Sequence, residues 1–134
     1  MTERQRRRIA RAVDQAEEWT GLQLCVYLGP TETDPLDSAH ALMADLGLTE
    51  RPAVLILVAP LERRLEIVTS PAARERVDDR AARLAALSMS ASFGVGDVAG
   101  GIVEGVRLIA QAAGQGEPRG AELPDLLDAT APRR

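Results

Sequence analysis

The chain has 134 residues, 46% of them apolar, and 20 Asp and Glu against 16 positive side chains give it a net charge of −4. This composition is typical of one globular domain. All 16 positive side chains are Arg, which excludes a Walker A phosphate loop, a Schiff base and a Lys general base, because each of these needs an ammonium group. The single Cys excludes an intrachain disulfide and a cysteine zinc site, and the single His excludes a multi-histidine metal site.

Export and membrane signals are missing from the sequence. The first residues contain no apolar run of the length that a secretory signal needs. The most apolar stretch, 53–60, is far shorter than the roughly twenty residues of a membrane helix. We therefore expect a cytoplasmic protein without a transmembrane segment.

The first two predicted elements are a helix over 2–20 and a strand over 22–28. Thr2 is the expected helix cap, and Gly21 is the expected stop. The period then changes from 3.6 to two, which indicates a strand. The predicted buried face of the helix consists of Ile9, Ala12, Val13, Ala16 and Trp19.

The middle of the chain predicts a second helix and a hairpin. A polar loop over 31–36 precedes a short helix, for which Asp37 or Ser38 is the expected cap. Residues 53–59, AVLILVA, are apolar at every position and predict a strand that is buried on both faces. Residues 65–69 alternate in polarity and predict an antiparallel partner at the edge of the sheet.

Two helices are predicted in the last third of the chain. Ser70 and Pro71 indicate the start of one helix, and Asp97 is the expected cap of the other. The first has the predicted buried stripe Ala73, Val77, Ala81, Leu84 and Leu87. The second has the predicted buried face Val98, Ile102, Val106, Ile109 and Ala113. Residues 1–113 thus form one predicted domain, and we expect 114–134 to be a loosely ordered tail rich in Pro and Gly.

The element order α-β-α-β-β-α-α predicts an α/β fold. Residues 22–59 form a right-handed parallel βαβ crossover, to which the hairpin adds an antiparallel strand. Because the AVLILVA strand needs cover on both faces, we predict a three-layer α/β/α sandwich around a small mixed sheet.

Glycines cluster near the last helix and suggest two interpretations. Residues 94–99 fit G-x-G-x-x-A, but a helix precedes them and Asp97 places a negative charge where a phosphate would bind, so we reject a dinucleotide site. Gly100, Gly101 and Gly105 each cost about 1 kcal/mol relative to Ala inside a helix. Close packing of this helix is the favoured explanation, and a hinge or a docked partner is the alternative.

The nucleophile candidates are weak. Cys25 falls on the strand face opposite the Leu and Val residues, where a buried inert thiol is expected. His40 falls on the short second helix and is interpreted as a surface or capping residue. Nothing in the sequence supplies a base for Cys25.

Acidic residues are the candidates for metal binding. Asp34 and Asp37 lie just past the carboxyl end of the first strand, the usual crevice of an open α/β sheet. Their oxygens suit Ca²⁺ or Mg²⁺, although both residues are also ordinary helix caps, and no other cofactor is expected. Asp79 can share a site with Asp97, or it can belong to a solvated face paired with neighbouring arginines such as Arg76.

The first eleven residues form a basic cluster. Five Arg and one Glu give them a charge of +4, while the other 123 residues carry −8. The cluster includes Arg4, Arg7, Arg8 and Arg11, and no aromatic residue is interleaved with them. We interpret it as a solvated helix end or a contact for an acidic protein partner, in preference to a nucleic-acid or anionic-lipid site.

Four segments in order resemble the TPM domain family over residues 8–111. They are RIARAVDQAEEWTGLQLCVYLG, ALMADLGL before AVLILVA, RRLEIVTS leading to VDDRAARLAAL, and FGVGDVAGGIVEGVRLI. The resemblance implies an α/β/α sandwich with a phosphatase activity, divalent-cation binding or non-enzymatic assistance to membrane complexes. It also implies that Asp79 and Asp97 match recurrent acidic positions of that family. Arg51-Pro52 stands where that family has a glycine ahead of its central strand. Most members carry a secretion signal and a membrane anchor, and because neither is recognised here, the resemblance implies a cytoplasmic, actinobacterial-type branch of unknown function.

Three functional hypotheses follow from these observations. The first is a non-enzymatic accessory or protein-interaction module, which contacts a protein partner or a second copy through the four arginines named above. The second is a divalent-metal-assisted acid phosphatase that uses Asp79 and Asp97, with Asp34 as a further ligand. The third is weak nucleic-acid or anionic-surface binding through the first helix.

Overall fold

The computed structural model describes residues 1–116 and 126–130. Its helices are α1 (Glu3–Thr20), α2 (Pro35–Asp45), α3 (Asp79–Gly94) and α4 (Val98–Ala113). Its strands are β1 (Gln23–Leu28), β2 (Ala53–Ala59), β3 (Arg64–Thr69) and β4 (Leu126–Asp128). Single 3₁₀ turns occur at Pro60–Glu62 and Ala73–Glu75.

The four strands form one mixed sheet in the order β3-β2-β1-β4. β1 is parallel to β2, with Gln23 opposite Ala53 and Leu28 opposite Val58, and β3 is antiparallel to β2. All seven residues of β2 are buried. The parallel pairing of the predicted crossover, the internal position of the AVLILVA strand and its edge partner are therefore confirmed.

Helices cover both faces of the sheet. In β1, Leu24 and Val26 pack towards α1, α3 and α4, and Cys25 packs towards α2. The side chains of β2 alternate in the same way, with Ile56 on the three-helix side and Leu55 on the α2 side. Because a strand presents successive residues to opposite faces, β2 needs both layers. The predicted α/β/α sandwich is confirmed.

The ends of the parallel strands define two edges of the molecule. At the carboxyl edge, Leu28 and Ala59 end β1 and β2 beside the first residues of α1 and α4. At the amino edge, where β1 and β2 begin, the ends of α1 and α4 lie together, and Arg76 contacts both. α3 runs from the amino edge to the carboxyl edge, and α4 returns.

The first two helices differ from the prediction in detail. Thr2 caps α1 and Gly21 ends it in the left-handed region at φ 77°, as predicted. Trp19 is 47% exposed, so its predicted place in the core is wrong. α2 begins earlier than predicted, because Pro35 occupies its first turn and Asp34, rather than Asp37 or Ser38, accepts the N–H of Leu36.

The predicted start of α3 at Ser70 and Pro71 is wrong. Ser70 is buried, and its Oγ accepts the backbone N–H groups of Ala53 and Ala73, which ties it to the start of β2. The helix begins at Asp79, and Asp78 is its cap.

The face of α3 that packs inwards also differs from the prediction. Leu84 and Leu87 are 56% and 63% exposed, whereas Ala85 and Met89 are fully buried. Alanines lie on several sides of α3, so more than one side of the helix could face the core. The apolar pattern alone therefore did not determine how α3 is rotated about its axis.

The glycines of α4 allow α3 to approach closely. A Cβ on Gly101 would lie 2.7 Å from Cε1 of Phe93, and a Cβ on Gly105 would collide with the Met89 side chain. Close packing, the favoured interpretation, is therefore confirmed for Gly101 and Gly105, whereas a Cβ on Gly100 would meet only the Asp97 side chain that caps the same helix.

β4 is a strand that the sequence analysis missed. It lies parallel to β1, with Val26 opposite Leu126 and Leu28 opposite Asp128. A Cβ on Gly29 would lie 2.7 Å from the Cβ of Ala129, so this glycine lets the end of β4 approach β1. Of the predicted tail 114–134, residues 117–125 and 131–134 lie outside the described residues.

Candidate functional site

A cleft of about 430 Å³ opens at the carboxyl edge of the sheet. Its walls come from the ends of β1 and β2 and from the first turns of α1 and α4, and they include Leu28, Pro60, Leu61 and Val98. This edge is where open α/β sheets bind ligands, so the predicted acidic candidates are judged against it.

Asp34 and Asp37 lie near the carboxyl edge, where the sequence placed them. Asp34 Oδ2 accepts the N–H of Leu36 at 3.1 Å, and its Oδ1 lies 3.8 Å from Nη2 of Arg64. Asp37 is exposed in the first turn of α2. Asp34 therefore acts as the cap of α2, with the Arg64 guanidinium group beside it.

Asp79 and Asp97 lie at opposite ends of α3. Asp97 is at the carboxyl edge, where its Oδ1 accepts the N–H of Gly100 at 2.9 Å. Asp79 is in the first turn of α3 at the amino edge. A helix of 16 residues separates them, which is about 24 Å at 1.5 Å per residue. Among the described residues, no group of three His, Cys, Asp or Glu is placed to hold a metal ion.

The loop after β1 is fixed by a contact that the sequence did not indicate. The backbone N–H and the hydroxyl of Thr31 donate to the two carboxylate oxygens of Glu62 at 2.9 and 2.7 Å. These hydrogen bonds lower the pKa of Glu62. The Tyr27 hydroxyl donates to the carbonyl of Pro30, and burial, with Glu32 and Glu62 nearby, raises its pKa. This phenol is therefore a hydrogen-bond donor that holds the loop.

The arginines of α1 form an exposed basic face. Arg4, Arg7, Arg8 and Arg11 follow at helical spacing on the side opposite the buried Ile9, Val13 and Ala16. Within the described residues, none of the four forms an ion pair. We call these four residues the basic face. It extends about 10 Å along the helix axis.

Arg6 differs from the other arginines of α1 because it points towards β4. Its Nε donates to Oδ2 of Asp128 at 2.7 Å, and its Nη1 lies 3.6 Å from Glu3. This contact ties the start of α1 to the fourth strand, which fixes the helix that carries the basic face.

Two polar residues that hold the fold were missed. Arg76, interpreted as a solvated partner of Asp79, instead donates to backbone carbonyls at the ends of α1 and α4. Glu17 is buried, and its Oε2 accepts the side-chain N–H of Gln23 and the backbone N–H of Leu24. Glu17 lies four residues after Val13, so its place on the apolar stripe was a signal that the sequence did offer.

The two nucleophile candidates, Cys25 and His40, differ in exposure. Cys25 is 2% exposed in the layer between the sheet and α2, as predicted for an inert thiol. His40 is exposed on α2.

Of the helices that the structure describes, none has the length and apolar character needed to cross a membrane.

The solved structures that share the fold include two from bacteria. One is the NMR structure of the BA42 protein from the psychrophilic bacterium Bizionia argentinensis, with 22% identity, 96% of this chain and 95% of that chain covered, and a TM-score of 0.84. The other is the N-terminal domain of a protein from P. gingivalis, with 20% identity, coverage of 84% and 75%, and a TM-score of 0.73. At these identities the likeness shows the fold alone.

The family match corrects the resemblance proposed from the sequence. Residues 1–110 match a family described as a domain of unknown function, DUF5130. The assignment to the TPM family was wrong. The four segments on which it rested follow the order of the helices and strands, and such an order does not define a family. Because the match covers residues 1–110 of the 134 in this chain, the chain belongs to the DUF5130 family.

Proposed function

We propose that this domain is a non-enzymatic protein-interaction module that binds an acidic protein segment through the basic face of α1. The observation that carries the proposal is the exposure of four arginines on one side of one helix, without an ion pair to any described residue. A guanidinium group binds a carboxylate through two parallel hydrogen bonds, so such a row suits a run of Asp or Glu.

The helix presents these arginines in a fixed arrangement. Ile9 and Val13 are fully buried under α1, and Thr2 and Gln5 form a reciprocal capping box at its start. A rigid scaffold lowers the entropy that is lost when a partner binds, because only the arginine side chains need to be ordered.

The size of the basic face favours a short acidic segment over a nucleic acid or a lipid surface. Arg4 and Arg11 are about 10 Å apart along the axis, and Glu18 follows on the same side of the helix. An extended polyanion would pass from the arginines onto this carboxylate, and the net charge of −4 would repel it. A short acidic segment avoids the first cost and, because it carries fewer charges, experiences less of the second.

The phosphatase hypothesis has no comparable support. It rested on Asp79 and Asp97, which the length of α3 separates. Asp34 and Asp97 instead act as helix caps, and each accepts a backbone N–H.

The proposal is tested by titrating the protein with a short oligoglutamate peptide and following the fluorescence of Trp19, the only tryptophan, on the same helix. We expect binding that weakens as salt rises. The double variant Arg7→Gln/Arg11→Gln should weaken binding by about tenfold, since two exposed ion pairs of roughly 0.7 kcal/mol each are lost.

The matched control removes the same charge from other helices and loops. Arg74→Gln/Arg83→Gln changes two exposed arginines away from α1, neither of which forms an ion pair with a described residue, and should bind the peptide like the parent protein. Equal losses in both double variants would overturn the proposal. Tighter binding to a DNA duplex or to phosphatidylglycerol vesicles than to the peptide would replace the acidic protein segment with that polyanion.

A further inference from the structure

α3 carries a row of apolar side chains that faces solvent. Leu84, Leu87, Ala91 and Val95 follow at spacings of three and four residues, so they form one row along the helix. Leu84, Leu87 and Val95 are 56%, 63% and 83% exposed. The opposite side of α3, which packs on α4 and the sheet, is the one that carries the fully buried Met89. We call the four exposed residues the α3 seam.

A charged residue lies beside each end of the α3 seam, and the end that holds Arg80 also holds Asp78 and Asp79, the cap and first residue of α3. Arg80 lies one turn before Leu84 and is exposed, and it forms no ion pair with any described residue. At the other end, the backbone N–H of Asp97 donates to the carbonyl of Ser92 at 2.9 Å, which holds the backbone of this residue beside the last turn of α3, while its carboxylate lies over the first turn of α4. Its Oδ1 accepts the N–H of Gly100. The seam thus begins beside a cation and ends beside an anion.

We propose that the α3 seam binds the same seam of a second copy of this chain, in antiparallel orientation about a two-fold axis near Leu87. In this arrangement each Arg80 meets the partner's Asp97, and the leucines of both copies bury one another. A parallel arrangement would place Arg80 against Arg80, which is repulsive. One two-fold axis therefore satisfies the apolar row and both charged ends at once.

The residue types of the seam suit a helix as its occupant. Apolar residues three and four apart are the contact pattern of helices that pack almost antiparallel. Ala91 and the neighbouring Ser88 and Ser90 are small, so the two helix axes can approach closely. The contact is one helix long, which puts its buried area at the low end of specific interfaces, so we expect a reversible dimer.

This inference does not rest on the proposed function. α4 packs between α1 and α3, so the basic face and the α3 seam lie on different sides of the three-helix layer. A dimer formed through α3 leaves both basic faces exposed. Each surface can therefore fail its own test without affecting the other.

Analytical ultracentrifugation over a wide range of protein concentration tests whether the dimer forms. We expect the parent protein to change from monomer to dimer as its concentration rises. The double variant Leu84→Ser/Leu87→Ser should weaken association by about a hundredfold, because four leucines per dimer lose burial. Leu61→Ser alters a leucine that is 95% exposed elsewhere and should associate like the parent protein.

A cysteine cross-link tests whether the dimer uses this seam. The only native cysteine, Cys25, is buried, so a thiol introduced by Leu87→Cys is the accessible one. Near a two-fold axis two such thiols meet, and mild oxidation should give a disulfide-linked dimer. Gln111→Cys, at an exposed position of α4, is the matched control and should cross-link more slowly.

Charge variants test the antiparallel orientation. Arg80→Glu should weaken the dimer by about tenfold, because it replaces two attractive pairs with two repulsive ones. Arg74→Glu, which makes the same change off the seam, should not. Asp97→Asn keeps a capping oxygen and should weaken the dimer in the same direction as Arg80→Glu. A parent protein that stays monomeric throughout, equal cross-linking of both cysteine variants, or a dimer tightened by Arg80→Glu would each overturn the proposal.

Discussion

Arg76 shows how one side chain can join two helices. Its Nη1 donates to the carbonyl of Thr20 at 2.6 Å, and its Nη2 donates to the carbonyl of Gly114 at 2.6 Å, with Ala113 also in reach. The last carbonyls of a helix have no partner within the helix and carry partial negative charge. A guanidinium group can satisfy carbonyls from two helices because its donors spread in a planar fork.

We expect Arg76→Lys to lower the free energy of unfolding by about 2 kcal/mol, since a compact ammonium group cannot reach all of these carbonyls. Urea denaturation measures the change, with Trp19 fluorescence as the signal. Arg74→Lys, at an exposed position two residues earlier, is the control and should have no effect. An equal loss in both variants would contradict the role assigned to Arg76.

Asp128 couples the stability of β4 to pH. Burial acts to raise its pKa, but hydrogen bonds from Thr130 and from Arg6 outweigh that effect, and the pKa is lowered. A lowered pKa in the folded state means that the carboxylate stabilises the fold above its ordinary pKa of about 3.9. This stabilisation is lost as the pH falls below that value towards the pKa in the folded state.

We therefore expect Asp128→Asn to destabilise the protein at neutral pH by about 1 to 2 kcal/mol and to have a smaller effect as the pH falls below about 4. Denaturation of the parent and the variant at several pH values measures the difference. A difference that stayed constant from neutral to acidic pH would show that the charge of Asp128 does not contribute.

The contact between α3 and α4 depends on the absence of side chains at two positions. Gly101 and Gly105 face Phe93 and Met89, so these two large side chains of α3 lie directly against the backbone of α4. The chain has only three aromatic residues, and its core is built from small and aliphatic side chains. Such packing tolerates little added volume.

We expect Gly105→Ala to lower thermal stability by about 1 kcal/mol, because overpacking against Met89 exceeds the gain in helix propensity. Gly94→Ala is the matched control, since a Cβ there meets nothing within 4 Å. The control should be neutral or stabilising. A Gly105→Ala protein as stable as the control would show that Met89 moves aside at little cost.

The same pair of helices shows where prediction from the sequence stopped. The start and face of α4 follow from Asp97 and from well-separated Val and Ile residues. α3 contains alanines on several sides, so its apolar pattern fits more than one inward face. Leu84 and Leu87 were assigned to the core because they are larger than the alanines, but both are exposed. Alanine is compatible with both core and surface, so the rotation of α3 depends on the glycines of its neighbour.

For the whole molecule, the order of the local signals was enough to predict most of the sheet. β2 was recognised by its continuous apolar run, and its crossover and hairpin partners follow from handedness and turn residues. β4 has only three residues and pairs with β1 about a hundred positions earlier, so no local pattern marks it.

The candidate site was predicted less completely than the fold. Asp34 and the exposed arginines of α1 lie where the sequence placed them. Asp79 and Asp97 were considered together, although the predicted helix continues from Asp79 to about Leu87 and so already places a distance of about 12 Å along its axis between Asp79 and the loop before Asp97. Contacts such as Thr31 with Glu62 join distant segments, and only the folded structure shows them.

The position of β4 has a consequence for the association of unfolded or clipped chains. β1 is buried on both faces, and β4 occupies one of its hydrogen-bonding sides. Without β4, the backbone N–H and C=O groups of Val26 and Leu28 would form an open sheet edge, which can recruit a strand from another molecule. The three residues of β4 therefore protect the protein against edge-to-edge aggregation, a role that exceeds their small contribution to the core.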